Sequence, residues 1–288
     1  YELGQIDRAR EQFARSVEGG AVDRNSARLN LAIIEWRYGD RDAAFAAFDS
    51  FIDLYNGSTP LSSTDLTAVA TAVQYLGIRE HELFQDALRA YDEAVAADPG
   101  NLEPRVLIGE LFLDKYNGPE ADAALREVLE RNPNHPRALL GLARAMKFNG
   151  TVGVMDQVEA ALEQNENFTA ARVFKARLHL EVEAHDDARA ELERALEVNP
   201  VSLEALSVLA ASHYLRGENG EYRRIRDQVT ALSPTYAEVF NDVADLRVQS
   251  RKYVEAARLA EEAIAVDSLS WRAYGILGMN QLRLGLIE

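Results

Sequence analysis

The sequence has no cysteine among its 288 residues, and it has only 8 prolines and 17 glycines. The lack of cysteine excludes disulfide bonds and thiolate chemistry. No uninterrupted apolar run reaches the roughly 18 residues that a membrane-spanning helix needs, so no membrane insertion is expected. The first residues also lack a charged start followed by an apolar stretch, so no secretory signal peptide is visible.

Basic residues are scarce relative to acidic ones. The chain has 31 Lys and Arg against 47 Asp and Glu, which gives a formal net charge of −16. Such a chain repels phosphate backbones, which argues against nucleic acid as a partner. Two interpretations of the charge remain open: it keeps the chain soluble through self-repulsion, or it attracts a basic peptide.

Four prolines mark a regular spacing along the chain. Pro99, Pro133, Pro200 and Pro234 lie 34, 67 and 34 residues apart, and the middle interval corresponds to two units. A small residue and an apolar residue recur 12 and 8 positions before three of these prolines. A fixed period of this length is typical of helical repeat proteins, in which each unit buries its apolar face only against its neighbours.

Position 8 of every unit is a small residue. With units starting near residues 25, 63, 102, 136, 169, 203, 237 and 271, it is occupied by Ala32, Ala70, Gly109, Ala143, Ala176, Ala210, Ala244 and Gly278. Small residues there allow two antiparallel helices to approach closely, while apolar residues at helical spacing fill the remaining space. The pattern resembles the tetratricopeptide repeat, a pair of helices called A and B. The resemblance implies an all-α fold, a right-handed superhelical solenoid of antiparallel helix pairs.

The repeats extend over the whole chain. We expect one continuous array over residues 1–288, in which residues 1–24 are a partial unit and residues 271–288 are helix A of a cut unit. Because neither end resembles the polar capping helix that such arrays need, we interpret the chain as a fragment of a larger bacterial repeat protein.

Three places depart from the repeat pattern. Residues 56–60 are predicted to form an inserted loop, followed by helix-start residues at 62–65, and the turn at 78–82 is predicted to be enlarged. Arg172 and Lys175 occupy positions that are usually apolar. We expect their aliphatic stems to lie along the core with their charges in solvent.

No catalytic motif is complete. Residues 81–85 read His-Glu-Leu-Phe-Gln, and a zinc-binding helix of this type needs a second histidine where Gln85 stands. His179 and His213 share position 11 of consecutive units, but no third ligand is evident, so we favour core histidines bonded to the backbone. We therefore expect no catalytic residue, no metal and no cofactor, and interpret the chain as a non-enzyme.

Helix A lines the concave groove in the tetratricopeptide repeat family, and the resemblance implies that a ligand binds there. The predicted peptide-binding residues are Trp36, Tyr75, Arg137, Arg144, Lys147, Phe148, Phe174, Arg177 and Tyr214. Arg144 and Arg177 share one repeat position, and our hypothesis is that they jointly hold a ligand carboxylate. The alternative is that they pair within the chain, with Glu110, Glu181 or neighbouring acids.

Position 5 carries no lysine in any unit, so the family's clamp for chaperone C-termini is absent.

The leading functional interpretation is a scaffold that binds a protein or peptide. The alternative is a non-catalytic arm of a larger multidomain enzyme, because residues 270–285 are similar to arrays that precede metallopeptidase-like domains in large bacterial proteins. A third interpretation is end-to-end self-association.

Overall fold

The computed structural model describes residues 3–19, 23–57 and 59–285, and every regular element in those ranges is an α-helix. The helices form two compact units, unit 1 with the first nine helices of the described chain and unit 2 with its last seven. The predicted all-α fold class is confirmed.

Unit 1 consists of α1 (Ile6–Glu18), α2 (Arg24–Tyr38), α3 (Arg41–Asn56), α4 (Ser63–Leu76), α5 (Leu83–Ala97), α6 (Glu103–Asp114), α7 (Gly118–Arg131), α8 (Pro136–Phe148) and α9 (Val154–Gln164). Unit 2 consists of α10 (Thr169–Glu181), α11 (His185–Val198), α12 (Leu203–Leu215), α13 (Asn219–Leu232), α14 (Glu238–Gln249), α15 (Tyr253–Val266) and α16 (Trp271–Leu284).

Local sequence chemistry determines where many of these helices begin. The Ser62 hydroxyl accepts a hydrogen bond from the Asp65 backbone N–H, and the Asp65 carboxylate accepts one from the Ser62 N–H, which forms a capping box at the start of α4. The predicted helix start at residues 62–65 is therefore confirmed. Pro136 opens α8, where its missing N–H costs no helical hydrogen bond. The enlarged turn at 78–82 lies between the end of α4 and the start of α5.

The turn inside many repeats uses a left-handed backbone at repeat position 15. Glycine takes this conformation without a steric cost, whereas other residues pay about 1–2 kcal/mol. The six residues with positive φ at this position in the units from 102 onward are Tyr116, Gly150, Glu183, Gly217, Arg251 and Gly285. Half of these turns therefore hold a residue other than glycine in a conformation that favours glycine.

Close helix approach depends on glycine in the middle of unit 1. The Leu125 side chain of α7 is fully buried and lies against Gly109 of α6 and Gly141 of α8. A Cβ atom added at Gly109 would lie 2.6 Å from Leu125 Cγ, and one added at Gly141 would lie 2.8 Å from Leu125 Cδ2. Both distances are far below a normal carbon contact of about 3.5–4.0 Å. Only glycine therefore fits at positions 109 and 141 without a shift, because the Leu125 side chain of a B helix fills the space that a Cβ atom would need.

Successive A helices also contact each other within each unit. In unit 1, α2 contacts α4, α4 contacts α6 and α6 contacts α8, and in unit 2 the contacts run from α10 through α12 and α14 to α16.

The core of unit 1 includes the fully buried Phe48, Phe51 and Tyr91, and that of unit 2 includes Leu192 and Val173. Burying side chains of this size contributes about 1.5–3 kcal/mol each.

The expectation that Arg172 and Lys175 keep their charges in solvent is wrong. Both cations contact the buried carboxylate of Glu191 on α11, with Arg172 Nη1 at 2.7 Å from Oε2 and Lys175 Nζ at 3.0 Å from Oε1. Burial alone would raise the pKa of Glu191, but its hydrogen bonds with Lys175 and Arg172 outweigh that effect and lower it. The two cations are retained inside the unit because a helix-B carboxylate faces them.

Candidate protein-binding surface

Trp36 and Tyr75 belong to an aromatic cluster in unit 1. Tyr75 stacks on Phe48 with ring centroids 4.6 Å apart, and Trp36 meets the edge of Tyr75 at 5.9 Å. The Arg41 guanidinium lies 4.2 Å from the centre of the Trp36 ring. Both predicted residues are half-buried, so their main contacts are with their own unit and only part of each ring faces solvent.

A chain of polar contacts connects the interior of unit 1 to its helix-A surface. The buried Tyr91 hydroxyl donates to Gln74 Oε1 at 3.0 Å and lies 3.0 Å from Thr71 Oγ1. Gln74 Nε2 in turn donates to Asp114 Oδ2 at 3.2 Å. Because the Gln74 oxygen accepts from Tyr91, the amide nitrogen of Gln74 is the end that faces Asp114.

Asp114 accepts the last of these hydrogen bonds and is exposed at the surface, and the neighbouring groups shift the pKa of its carboxyl. Desolvation by the surrounding protein, followed by repulsion from Glu110, raises the pKa of Asp114 to about 6, and attraction by Arg144 partly opposes the change. The sequence analysis did not select Gln74 or Asp114 as binding residues. Gln74 on α4 and Arg144 on α8 both act on the Asp114 carboxyl of α6, and no local sequence motif indicates that these three helices bring them together.

Arg137 is held by two carboxylates of the preceding A helix. Its guanidinium pairs with Glu103, and its Nη2 donates to Glu110 Oε2 at 2.9 Å. Desolvation alone would lower the pKa of Arg137, but attraction by Glu110 and Glu103 outweighs the desolvation and raises that pKa above its usual value. This predicted ligand-binding cation is therefore engaged within the chain.

Lys147 and Phe148 lie at the C-terminal end of α8, on the same side as Arg144, because residues three and four apart share a helix face. Phe148 is 48% exposed and Tyr116 is 60% exposed, and their rings pair at a centroid distance of 5.9 Å. A Cβ added at Gly118 would lie 2.4 Å from Phe148 Cδ1, so one side of the ring rests on the start of α7. We call Tyr116 and Phe148 the aromatic edge of unit 1.

Sequence reasoning missed Tyr116. The signal that could have identified it is its repeat position, where the pattern favours glycine and the chain instead has a tyrosine with φ of 56°. Glu183 and Arg251 have the same backbone conformation at the same repeat position, so Tyr116 is distinguished by its exposed aromatic ring.

Arg177 is engaged in unit 2. Its two terminal nitrogens donate to the two oxygens of the Asp242 carboxylate, with Nη2 to Oδ2 at 2.9 Å, and Asp242 is only 1% exposed. Arg272 of α16 contacts the same carboxylate at 3.1 Å and also pairs with Glu238 and Asp245. Arg177 thus pairs within the chain, as the alternative stated, and its bidentate partner is Asp242 from two repeats further along instead of Glu110 or Glu181.

Phe174 and Tyr214, the other predicted residues of unit 2, are also turned toward their own unit. Phe174 is 9% exposed, so little of its ring is open to a partner. The Tyr214 hydroxyl donates to Glu255, and its ring meets the edge of Tyr222 at 4.8 Å. Desolvation and the Glu255 hydrogen bond raise the pKa of Tyr214.

The histidines do not form a metal site in the described ranges. Among those residues, no three or more His, Asp or Glu side chains are grouped so that they could hold a metal ion. His213 Nδ1 lies 2.5 Å from a Glu218 oxygen, so its partner is a carboxylate and not the backbone group that we expected. No helix in the described residues is long and apolar enough to cross a membrane.

Solved structures with the same fold are diverse in sequence. A tetratricopeptide repeat protein from Parabacteroides merdae shares 16% identity, with a TM-score of 0.54 and coverage of 96% of this chain and 98% of that one. A chain of the APC/C hetero-tetramer Cut9–Hcn1 shares 12% identity, with a TM-score of 0.60 and coverage of 96% and 53%. Yeast Tom70 shares 14% identity, with a TM-score of 0.54 and coverage of 97% and 59%. The chain therefore spans only about half to three fifths of the last two, and these likenesses show the fold alone.

A family comparison adds the sequence evidence. The model described as tetratricopeptide repeat matches residues 1–59, 106–146 and 174–221. Proteins of this family are generally non-catalytic scaffolds for protein interaction, and nothing in the comparisons supports the alternative of an arm of a metallopeptidase-like enzyme. The chain belongs to the tetratricopeptide repeat family.

Proposed function

We propose that the chain binds a protein segment at the aromatic edge of unit 1 and along the adjoining helix-A surface of α8. The observation that carries this proposal is the exposed ring pair of Tyr116 and Phe148. The other aromatic residues that we predicted to bind a ligand, Trp36, Tyr75, Phe174 and Tyr214, are buried or half-buried in their own units. Aromatic side chains that remain open and are held in one orientation are the residues that most often dominate protein interfaces.

The chemistry around the rings specifies the kind of segment. Arg144 lies four residues before Phe148 on the same face of α8, and Lys147 lies three residues after Arg144, so the arginine is a neighbour of both. A segment with an apolar side chain against the rings and a carboxylate near Arg144 and Lys147 would match both features. The hypothesis that Arg144 and Arg177 jointly hold a ligand carboxylate is therefore revised. Because Arg177 already binds Asp242, the proposed carboxylate site consists of Arg144 and Lys147 in unit 1.

Selection from a random peptide library on the immobilised chain tests the proposal and requires no identified partner. The affinity of a selected peptide is then measured by fluorescence anisotropy for the wild type and for Phe148→Ala. We expect at least a tenfold loss, because an anchor residue of this kind contributes about 2 kcal/mol or more. The matched control is Val182→Ala, which removes a 72%-exposed side chain in unit 2.

Two results would contradict the proposal. One is an affinity that Phe148→Ala leaves unchanged, which would move the contact away from the aromatic edge. The other is a selection that enriches no peptide at all. Arg144→Ala adds a separate measurement, since loss of a ligand carboxylate contact should weaken binding more at low salt than at high salt.

A further inference from the structure

Three carboxylates follow one another along the face of α6 that lies toward α8. Glu103 and Glu110 both contact Arg137 of α8, with Glu110 Oε2 at 2.9 Å from Arg137 Nη2. One turn after Glu110, Asp114 ends α6 on the same face, and Arg144 of α8 attracts its carboxylate. The last of the three acids therefore interacts with the cation that the proposed function assigns to a ligand carboxylate.

Asp114 differs from the two other acids because no cation contacts it directly. Gln74 Nε2 donates to Asp114 Oδ2 at 3.2 Å, and among the residues that the structure describes this is its only hydrogen bond. None of those residues forms an ion pair with Asp114. The side chain is exposed, so its other oxygen, Oδ1, is accessible to a ligand.

A ligand carboxylate at Arg144 would be a third negative charge beside Asp114 and Glu110. Carboxylates that share one site repel each other, so the site favours the state in which one of them takes up a proton. Arg137 compensates Glu110 through a direct contact, whereas the partner of Asp114 is a neutral amide. Asp114 is therefore the acid that becomes protonated, and its O–H then acts as a hydrogen-bond donor.

The groups around Asp114 bring this protonation close to neutral pH. Arg144 and the adjacent Lys115 attract the Asp114 carboxylate, Gln74 of α4 hydrogen-bonds to it, and Glu110 repels it. Desolvation and the repulsion by Glu110 outweigh the attractions, which raises the pKa of Asp114 to about 6. A further negative charge from a ligand raises that pKa again.

We infer that a ligand carboxylate binds at Arg144 together with one proton, which Asp114 carries on Oδ1 and donates in a hydrogen bond to the ligand. This inference rests on the proposed function, because it concerns the same surface of α8. It makes Asp114 a specificity-determining residue, since a carboxylate is bound more tightly in acid and a neutral amide is not. An arginine–carboxylate contact alone would not change between pH 5.5 and 7.5, because a C-terminal carboxyl has a pKa of about 3.5.

A peptide whose only acid is its C-terminal carboxylate tests the inference. It is selected at pH 5.5 from a library that lacks His, Asp and Glu, and it is acetylated at its N-terminus. With a pKa of about 6, the protonated fraction of Asp114 falls from about three quarters at pH 5.5 to about 3% at pH 7.5, so the Kd can rise by up to about 25-fold. We expect a rise of at least about fivefold for the wild type and none for the C-terminal amide of the same peptide.

Asp114→Asn provides a neutral side chain with an N–H donor at every pH. Its Kd for the acid peptide should stay near the wild-type value at pH 5.5 and change less than about twofold up to pH 7.5. Asp49→Asn is the matched control, because it makes the same change of charge at an exposed position of α3 and should keep the wild-type profile. A wild-type Kd that does not rise with pH, or an Asp114→Asn profile equal to that of the wild type, would overturn the inference.

Isothermal titration calorimetry at pH 7, in two buffers with different ionisation enthalpies, counts the protons that bind with the peptide. The wild type should take up as much as about one proton per peptide and Asp114→Asn none, because linkage makes proton uptake equal to the pH dependence of the affinity. Binding without proton uptake by the wild type would contradict the inference. Phe148→Ala should weaken the acid and the amide peptide alike, so a peptide that depends on Phe148 but on neither pH nor Asp114 would refute this inference and leave the proposed function standing.

Discussion

The contact between Leu125 and two glycines leads to a quantitative prediction about packing. In Gly109→Ala the new methyl group would lie 2.6 Å from Leu125 Cγ and 2.9 Å from Cδ2. Leu125 has no room to retreat, because its other side already lies against Gly141. Overpacking of this kind costs about 1–3 kcal/mol, while alanine in place of glycine in a helix gains about 1 kcal/mol. We expect a net loss of about 1 kcal/mol.

A double-mutant cycle isolates the steric part of that loss. Leu125→Ala alone should cost about 2–5 kcal/mol, because it leaves a cavity at a fully buried position. In that background the clash is absent, so Gly109→Ala should instead stabilise the chain by up to about 1 kcal/mol. The coupling energy between the two sites should therefore be about 1–3 kcal/mol.

Urea unfolding followed by far-UV circular dichroism measures the four free energies of unfolding. Gly278→Ala is the matched control, since it changes the same repeat position where an added Cβ meets nothing within 4 Å. It should stabilise the chain to the same extent with and without Leu125. If Gly109→Ala and Leu125→Ala proved additive, the explanation that Leu125 requires glycine at this position would be refuted.

Three further predictions concern charges and turns. Glu191→Gln should reduce the free energy of unfolding by about 1.5–3 kcal/mol, because it removes the buried carboxylate that Arg172 and Lys175 contact, whereas exposed Glu193→Gln should have little effect. Because the pKa of Asp114 is raised to about 6, the folded chain binds more protons than the unfolded chain between about pH 4 and 6, so stability contributed by this group falls as pH rises. Asp114→Asn should remove that part of the pH profile, and identical profiles would contradict the assignment. Gly217→Ala, where an added Cβ has nothing within 4 Å, should cost about 1 kcal/mol through its positive φ alone, and Glu183→Gly should change the melting temperature in the opposite direction.

The helices could be predicted from the sequence because their signals are local. Pro136 at a helix start, the capping residues near Ser62 and the small residue at position 8 each act through neighbours within one unit or the next. Stacking of similar units repeats these signals at a fixed period, which makes the pattern visible in a single chain. The prediction of one continuous array over residues 1–288 stays a prediction.

The candidate site could be predicted only in part. Phe148 and Lys147 were identified because a repeat position indicates which side of helix A faces a ligand. The partner of Arg177 was not identified, because Asp242 lies 65 residues away and the pairing depends on how three successive A helices stack. Glu191 was missed for a similar reason: its contact with Arg172 crosses from helix B to helix A, and the repeat pattern specifies size at such positions but not charge.

Hydrogen–deuterium exchange of the chain with and without a selected peptide would locate the bound peptide along the backbone. We expect slower exchange at residues 113–117 and 147–150, the turns that carry Tyr116 and Phe148, with little change at the corresponding turn at 215–219 in unit 2. Slower exchange confined to residues outside the first two segments, with the peptide fully bound, would contradict the claim that the aromatic edge is the binding surface.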